Sequence, residues 1–223
     1  MAEADALLPP AERLRNRILH GYGRYTVLVA TTVIWVMDVL LHRRLTEVGL
    51  VDSGASEFAA RLDAVSAYVF VFTSLPLLYA LWRPLPHLIF RFAAAYIGFA
   101  AVQVVANVIQ MVNSAAALSG DGLGSLWDIG AMYLMSVTVF MFVYILMDLA
   151  TPGGAFLWPA REGQPAPTPN LFDYLFISLN VNSTYGPTSE AVMSRPTKLI
   201  MGIQVLLAIL MLTVLIARAA SAL

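Results

Sequence analysis

The chain has 223 residues, of which 59% are hydrophobic and 12% are charged, with a mean hydropathy of +0.75 and a formal net charge of −1. Soluble domains carry about 25% charged residues, so this composition predicts an integral membrane protein. The lack of cysteine excludes disulfides and thiolate sites, and the near-neutral charge excludes a basic surface for nucleic acid.

Residues 1–24 are predicted to form an amphipathic N-terminal segment. The stretch "AERLRNRILHGYGR" interleaves arginines with leucine and isoleucine. This pattern has two interpretations: a helix that lies on anionic lipid headgroups, or a terminal helix that is solvated by water.

Five apolar segments follow that are long enough to cross a bilayer, which requires about 17–25 residues. They comprise residues 25–41, 64–82, 88–112, 127–149 and 199–220. We expect an all-α membrane protein with a three-helix region (25–126) and a second region (127–223) that holds the last two spans. No span repeats arginine at every third position, which excludes a conventional voltage sensor.

Some polar residues fall within these apolar segments, where ionisable groups are costly and usually have a partner. Arg91 begins the third span and Asp148 ends the fourth, so alternating spans place them on one side, where they either pair or merely extend to the interface. Asp38 is expected near the opposite side. The third span also carries a polar stripe, read either as contacts between helices or as a hydrated path: Gln103, Asn107, Gln110 and Asn113.

The sequence between the last two spans is unusual for a membrane protein. The linker "TPGGAFLWPAREGQPAPTPN" is rich in Pro and Gly and is predicted to be irregular. "LFDYLFISLN" comes next and is too short to span, which indicates an interfacial or re-entrant half-helix. Thr168 and Pro169 fit its cap and first turn, and Asp173 and Tyr174 are expected to support it.

A polar loop, Asn182 to Gly186, follows the predicted half-helix. Irregular backbone at membrane depth is tolerated only where it is buried in protein or lines a water-filled path. The C-terminal end of a half-helix carries partial negative charge and favours a cation. The alternative is an ordinary connection outside the membrane.

The stretch "FDYLFISLNVNSTYGPTSEAVMSRPTKL" resembles the pore region of the tetrameric potassium-channel superfamily. From Ser178 onward it follows that family's pattern without a gap, and Lys198 falls on the basic residue that opens the inner helix. The resemblance covers residues 171–218 and does not extend to the first three spans.

The resemblance implies a selectivity filter made of Ser183, Thr184, Tyr185, Gly186, Pro187 and Thr188. Thr184 and Tyr185 would then be transient ligands of a monovalent cation. Pro187 fixes φ and removes a donor where the family has tyrosine. Thr188 stands where the family has a glycine with positive φ. These departures predict weak or altered selectivity.

The implied function is passive conduction of K⁺ or Na⁺ through a four-fold pore, since one loop cannot encircle an ion. The resemblance implies a homotetramer in membrane lipid, with no resident cofactor and with Glu190 forming a carboxylate ring at the pore mouth. The competing class is a small transporter or a non-conducting membrane scaffold. We expect the plasma membrane, or the inner membrane in a bacterium.

Enzymatic activity is not expected. Ser136, Thr138 and Ser178 are hydroxyl groups in apolar segments, but no histidine falls within a spanning segment to activate one.

The orientation has two competing predictions. Arginines before the first span place that end in the cytoplasm by the positive-inside rule. The family arrangement requires the opposite, with the polar loop facing outward.

Overall fold

The computed structural model describes residues 8–19, 23–47, 53–83, 85–117, 126–160, 162–183 and 190–221. This part of the chain is mostly helical. Its helices, in chain order, are α1 (Pro10–Leu19), α2 (Gly23–Glu47), α3 (Ser53–Trp82), α4 (Pro86–Ala117), α5 (Leu126–Ala150), α6 (Leu171–Asn182) and α7 (Arg195–Ser221).

Three of the described helices are long and apolar enough to cross a membrane. The qualifying stretches are His87–Val112 in α4, Asp128–Ala150 in α5 and Arg195–Ala217 in α7. Within α2 and α3 the described apolar stretches are Tyr25–Leu40 and Tyr68–Tyr79. These three helices support the prediction of a membrane protein, and the five-span topology stays a prediction.

Helix α5 lies at the centre of the packing. It contacts α1, α2, α4, α6 and α7, and 56% of its apolar stretch is buried, against 39% in α4 and 33% in α7. Met132, Met135 and Val139 of α5 belong to one core cluster with Val104 and Val108 of α4. A helix that is apolar on all sides suits this central position.

A buried carboxylate joins the first three long helices. Asp38 on α2 accepts hydrogen bonds from the Ser66 hydroxyl on α3 at 2.6 Å and from Gln103 Nε2 on α4 at 3.0 Å. All three residues are buried. Gln103, one member of the polar stripe, therefore serves here as a contact between helices.

The linker contains regular structure that its sequence did not predict. Strand β1 (Phe156–Leu157) pairs antiparallel with β2 (Ala191–Val192), with Phe156 opposite Val192 and Leu157 opposite Ala191. The chain can turn back after α5 because Gly153 and Gly154 adopt φ of 76° and 96°, a region that costs glycine little. The pairing joins the linker to the segment just before α7.

Candidate functional site

The half-helix α6 is a complete, capped helix of 12 residues. The Asn170 side chain accepts hydrogen bonds from the backbone N–H groups of Phe172 and Asp173 at 2.8 and 3.3 Å. The Asp173 carboxylate accepts in return from the Asn170 N–H at 2.7 Å. This reciprocal capping box satisfies donors at the helix start. The predicted cap at Thr168 thus lies two residues too early.

Asp148, at the end of α5, gathers the linker and the half-helix around one buried carboxylate. Its Oδ1 accepts from the backbone N–H groups of Ala155 and Phe156 at 2.6 and 3.1 Å. Its Oδ2 accepts from Trp158 Nε1 at 3.3 Å and from the Tyr174 hydroxyl at 2.5 Å. Four donors compensate a carboxylate that is fully buried.

The surroundings of Asp148 are closely packed. The rings of Phe156 and Trp158 meet the Tyr174 ring edge-on, with centroids 6.1 and 5.3 Å apart. Burial, and after it the Asp148 carboxylate, raises the pKa of the Tyr174 hydroxyl above its ordinary value, so this group remains a donor. A Cβ at Gly154 would lie 3.0 Å from Asp148 Oδ1, which leaves little room for a larger residue there.

A second polar network fixes the other half of α6 between α5 and α7. Gln204 on α7 donates through Nε2 to the Ser178 carbonyl at 3.1 Å, to the Ser178 hydroxyl at 3.0 Å and to Asn182 Oδ1 at 3.4 Å. Its Oε1 accepts from the Tyr144 hydroxyl. On the α5 side, the Ser178 hydroxyl donates to the Val137 carbonyl at 2.8 Å. One glutamine thus connects all three helices.

The half-helix ends beside a cavity of about 520 Å³. Asn182 and Ser183 contribute the polar end of its wall, and Tyr133 of α5 and Met211 of α7 contribute to the rest. Asn182 is buried, and its Oδ1 also accepts from the Ser136 hydroxyl at 3.3 Å, while its Nδ2 has no partner in the described part of the chain. The C-terminal end of α6, which carries the negative end of the helix dipole, therefore forms part of the wall of this cavity.

The chain returns to α7 through a short ordered segment. The Ala155 carbonyl accepts from the N–H groups of Met193 and Ser194 at 2.9 and 3.4 Å. Glu190 is half-buried, and its Oε2 is enclosed without a hydrogen-bond partner among the described residues. The ends of the loop are thus anchored at Asn182 and at β2.

The residues expected at the filter fall into two groups. Ser183 is the C-cap of α6, exposed, with its hydroxyl donating to the Asn180 carbonyl at 3.0 Å. The others, from Thr184 through Tyr185, Gly186 and Pro187 to Thr188, lie outside the described residues.

Asp173 and Tyr174 lie on α6 as predicted from the sequence, in the capping box and against Asp148. The predicted pair of Arg91 with Asp148 is not brought together. Arg91 is exposed on α4, and the Asp148 carboxylate is instead occupied by four neutral donors.

Several residues of this site were not anticipated. Gln204 is the single amide in the apolar run of α7, which is a usable signal because such groups in membrane helices usually bond across helices. Tyr144 had no comparable signal, since an aromatic residue in an apolar segment is common, and Trp158 lies in a linker that was predicted to be irregular. Among the described residues, no group of three or more His, Asp or Glu could hold a metal ion.

Comparison of the chain with protein families, with curated proteins and with solved structures gives no match. The features that bear on function are therefore the geometry of α5, the linker, α6 and α7 and the sequence pattern of residues 171–218.

Proposed function

We propose that residues 127–223 form a pore module, and that the protein conducts monovalent cations passively as a homotetramer. The observation that carries this proposal is the depth at which the half-helix ends. Asn182, its last residue, bonds to Ser136 and Gln204, which both lie well inside long apolar helices.

The depth follows from helix geometry. At 1.5 Å per residue, Ser136 lies roughly 21 Å from the end of α5, and Gln204 lies roughly 14 Å from the start of α7. The hydrocarbon core of a bilayer is about 30 Å thick. If α5 and α7 span it, α6 ends near its middle, where irregular backbone requires protein or water around it.

The loop after α6 would then supply the ion ligands. Its residues offer hydroxyl and carbonyl oxygens, which replace the hydration shell of a cation in pore loops. We assign Thr184 and Tyr185 as transient ligands of K⁺ or Na⁺. Pro187 and Thr188 differ from the family pattern, so we propose weak selectivity between the two ions.

A four-fold ring is proposed because a single loop cannot surround an ion. The outer face of α6 supports it: Phe172, Phe176 and Leu179 follow helical spacing and are 76%, 48% and 43% exposed. A neighbouring copy would cover this face and bring the loops together.

We also propose that α2 and α3 complete a five-span topology. The beginnings of α2, α4 and α6 all contribute to one cavity, together with the end of α5. This end of the bundle, where α5 ends and α6 and α7 begin, is called the linker end. The arrangement supports alternating passage of α2 to α5.

Ion flux tests the function. The purified protein is reconstituted in liposomes, and uptake of K⁺ and Na⁺ is measured with a fluorescent indicator against protein-free vesicles. We expect flux of both ions, together with a tetramer in detergent. A monomer without flux contradicts the pore, and a tetramer without flux supports the scaffold instead.

A further inference from the structure

An apolar cavity of about 160 Å³ lies at the linker end, between α1, α2, α4, α5 and the start of α6. Its inner wall includes Ile34, Ile97 and Phe142. From Leu149 to Phe142 the wall follows α5 for roughly 10 Å, away from the linker end. Apolar cavities of about 150 Å³ stay dry and accept apolar groups of benzene size.

The rim of this cavity is cationic. Helix α1 covers it with Leu14, which is buried, while the next residue, Arg15, is exposed and also lines the cavity. Arg13 donates to the Ala166 carbonyl, which holds α1 on the linker. An amphipathic helix thus places one positive charge at the mouth of an apolar cavity.

We propose that this cavity binds one anionic phospholipid, with part of an acyl chain in the cavity and the phosphate on Arg15. Both parts of the site match this chemistry: the walls accept methylene groups, and the rim attracts a negative headgroup. The cavity is at the end of helices that can span a membrane, where lipid is the abundant ligand.

The bound lipid would contact the half-helix directly. Asn170, which caps α6, and Tyr174, which bonds to Asp148, both line the cavity. The lipid would therefore stabilise the start of α6, and this part of the inference does not depend on ion conduction.

Native mass spectrometry of the detergent-purified protein tests the proposal. Phosphatidylglycerol and phosphatidylcholine with identical acyl chains are added separately, and retained lipid is counted per chain. We expect about one phosphatidylglycerol per chain and roughly fivefold weaker retention of phosphatidylcholine, whose headgroup carries no net charge. Arg15→Gln should weaken retention about fivefold, which corresponds to about 1 kcal/mol for one basic residue near an anionic headgroup. Ala93→Phe, which fills the cavity from α4, should abolish it.

Arg17→Gln is the matched control, because Arg17 is exposed on the same helix and does not line the cavity. If Arg15→Gln and Arg17→Gln reduce the retention of phosphatidylglycerol equally, the lipid adsorbs to a basic surface and the proposed site is wrong. Unchanged retention in Ala93→Phe overturns it as well, as does equal retention of the two lipids. Ala30→Leu fills the cavity from α2, so a folding defect in one variant does not decide the result.

Discussion

Replacing Asp148 with asparagine removes one acceptor from the centre of the linker and half-helix contacts. The amide has one oxygen, whereas the carboxylate uses both of its oxygens for four donors. If the asparagine oxygen keeps the hydrogen bonds from the Ala155 and Phe156 N–H groups, the asparagine NH₂ group faces the donors of Trp158 and Tyr174. The tyrosine hydroxyl can turn to accept, but the indole N–H only donates.

The expected cost follows from this count. A hydrogen bond to a charged group contributes about 1.5–3 kcal/mol, and a buried donor left unpaired costs about 1–3 kcal/mol. Because the tyrosine bond is weakened rather than lost, we expect Asp148→Asn to lower the free energy of unfolding by about 2–4 kcal/mol. Asp173→Asn is the control: it replaces a half-buried carboxylate on α6 and should cost about 1 kcal/mol or less.

The assay is unfolding in mixed micelles, followed by far-UV circular dichroism and tryptophan fluorescence. Trp158→Phe is combined with Asp148→Asn in a double-mutant cycle. Since asparagine already leaves the indole unpaired, the two changes should couple by about 1 kcal/mol or more. The role given to Asp148 would be refuted if the free energy of unfolding of Asp148→Asn lay within about 0.5 kcal/mol of the parent value. Strict additivity of Asp148→Asn and Trp158→Phe would refute it as well.

Four further predictions address the module. Gln204→Leu should lower the free energy of unfolding by about 1–2 kcal/mol, since hydrogen bonds between membrane helices average about 0.6 kcal/mol each. In the same assay, the control Leu206→Ala, at a position that is 63% exposed, should change stability less. Thr184→Ala should alter conductance or the K⁺ to Na⁺ ratio with the tetramer intact; unaltered permeation in bilayer recordings would remove Thr184 from the ion path. Glu190→Gln should lower conductance at 0.1 M salt and have little effect at 1 M, because the Debye length falls from about 10 Å to about 3 Å; equal conductance at low salt argues against a carboxylate ring. A cysteine at Glu162, in this cysteine-free chain, should react with an impermeant thiol reagent added outside cells if the family orientation holds, and protection there favours the positive-inside arrangement.

The half-helix shows how far sequence reasoning reached. Its existence as a short helix and its position between two apolar segments were visible in "TPNLFDYLFISLN", because they depend on near neighbours in the chain, although the helix continues two residues beyond this stretch to Asn182. The exact cap was misplaced by two residues, since Thr168, Asn170 and Pro169 all carry start signals. The reciprocal hydrogen bonds between Asn170 and Asp173 make Asn170 the N-cap.

Asp148 shows where that reasoning stopped. Its sequence position suggested an ionic partner on a neighbouring span. Arg91 was the expected partner only because alternating spans place it on the same side of the membrane as Asp148. The structure instead supplies donors from residues 155, 156 and 158, brought back by the turn at Gly153 and Gly154. A short turn of this kind determines which polar groups lie within hydrogen-bonding distance of the buried carboxylate.

Composition and apolar length by themselves predicted a helical membrane protein, because water and lipid act on every residue regardless of the fold, and three described helices are long and apolar enough to span a membrane. The local pattern also determined that a short capped helix precedes the last span. Only the tertiary structure decided that Gln204, Tyr144 and Ser178 meet around that helix, and that α1 closes a cavity against it. Such contacts join residues up to about 150 positions apart, as between Arg13 and Ala166, and they form only when the helices pack.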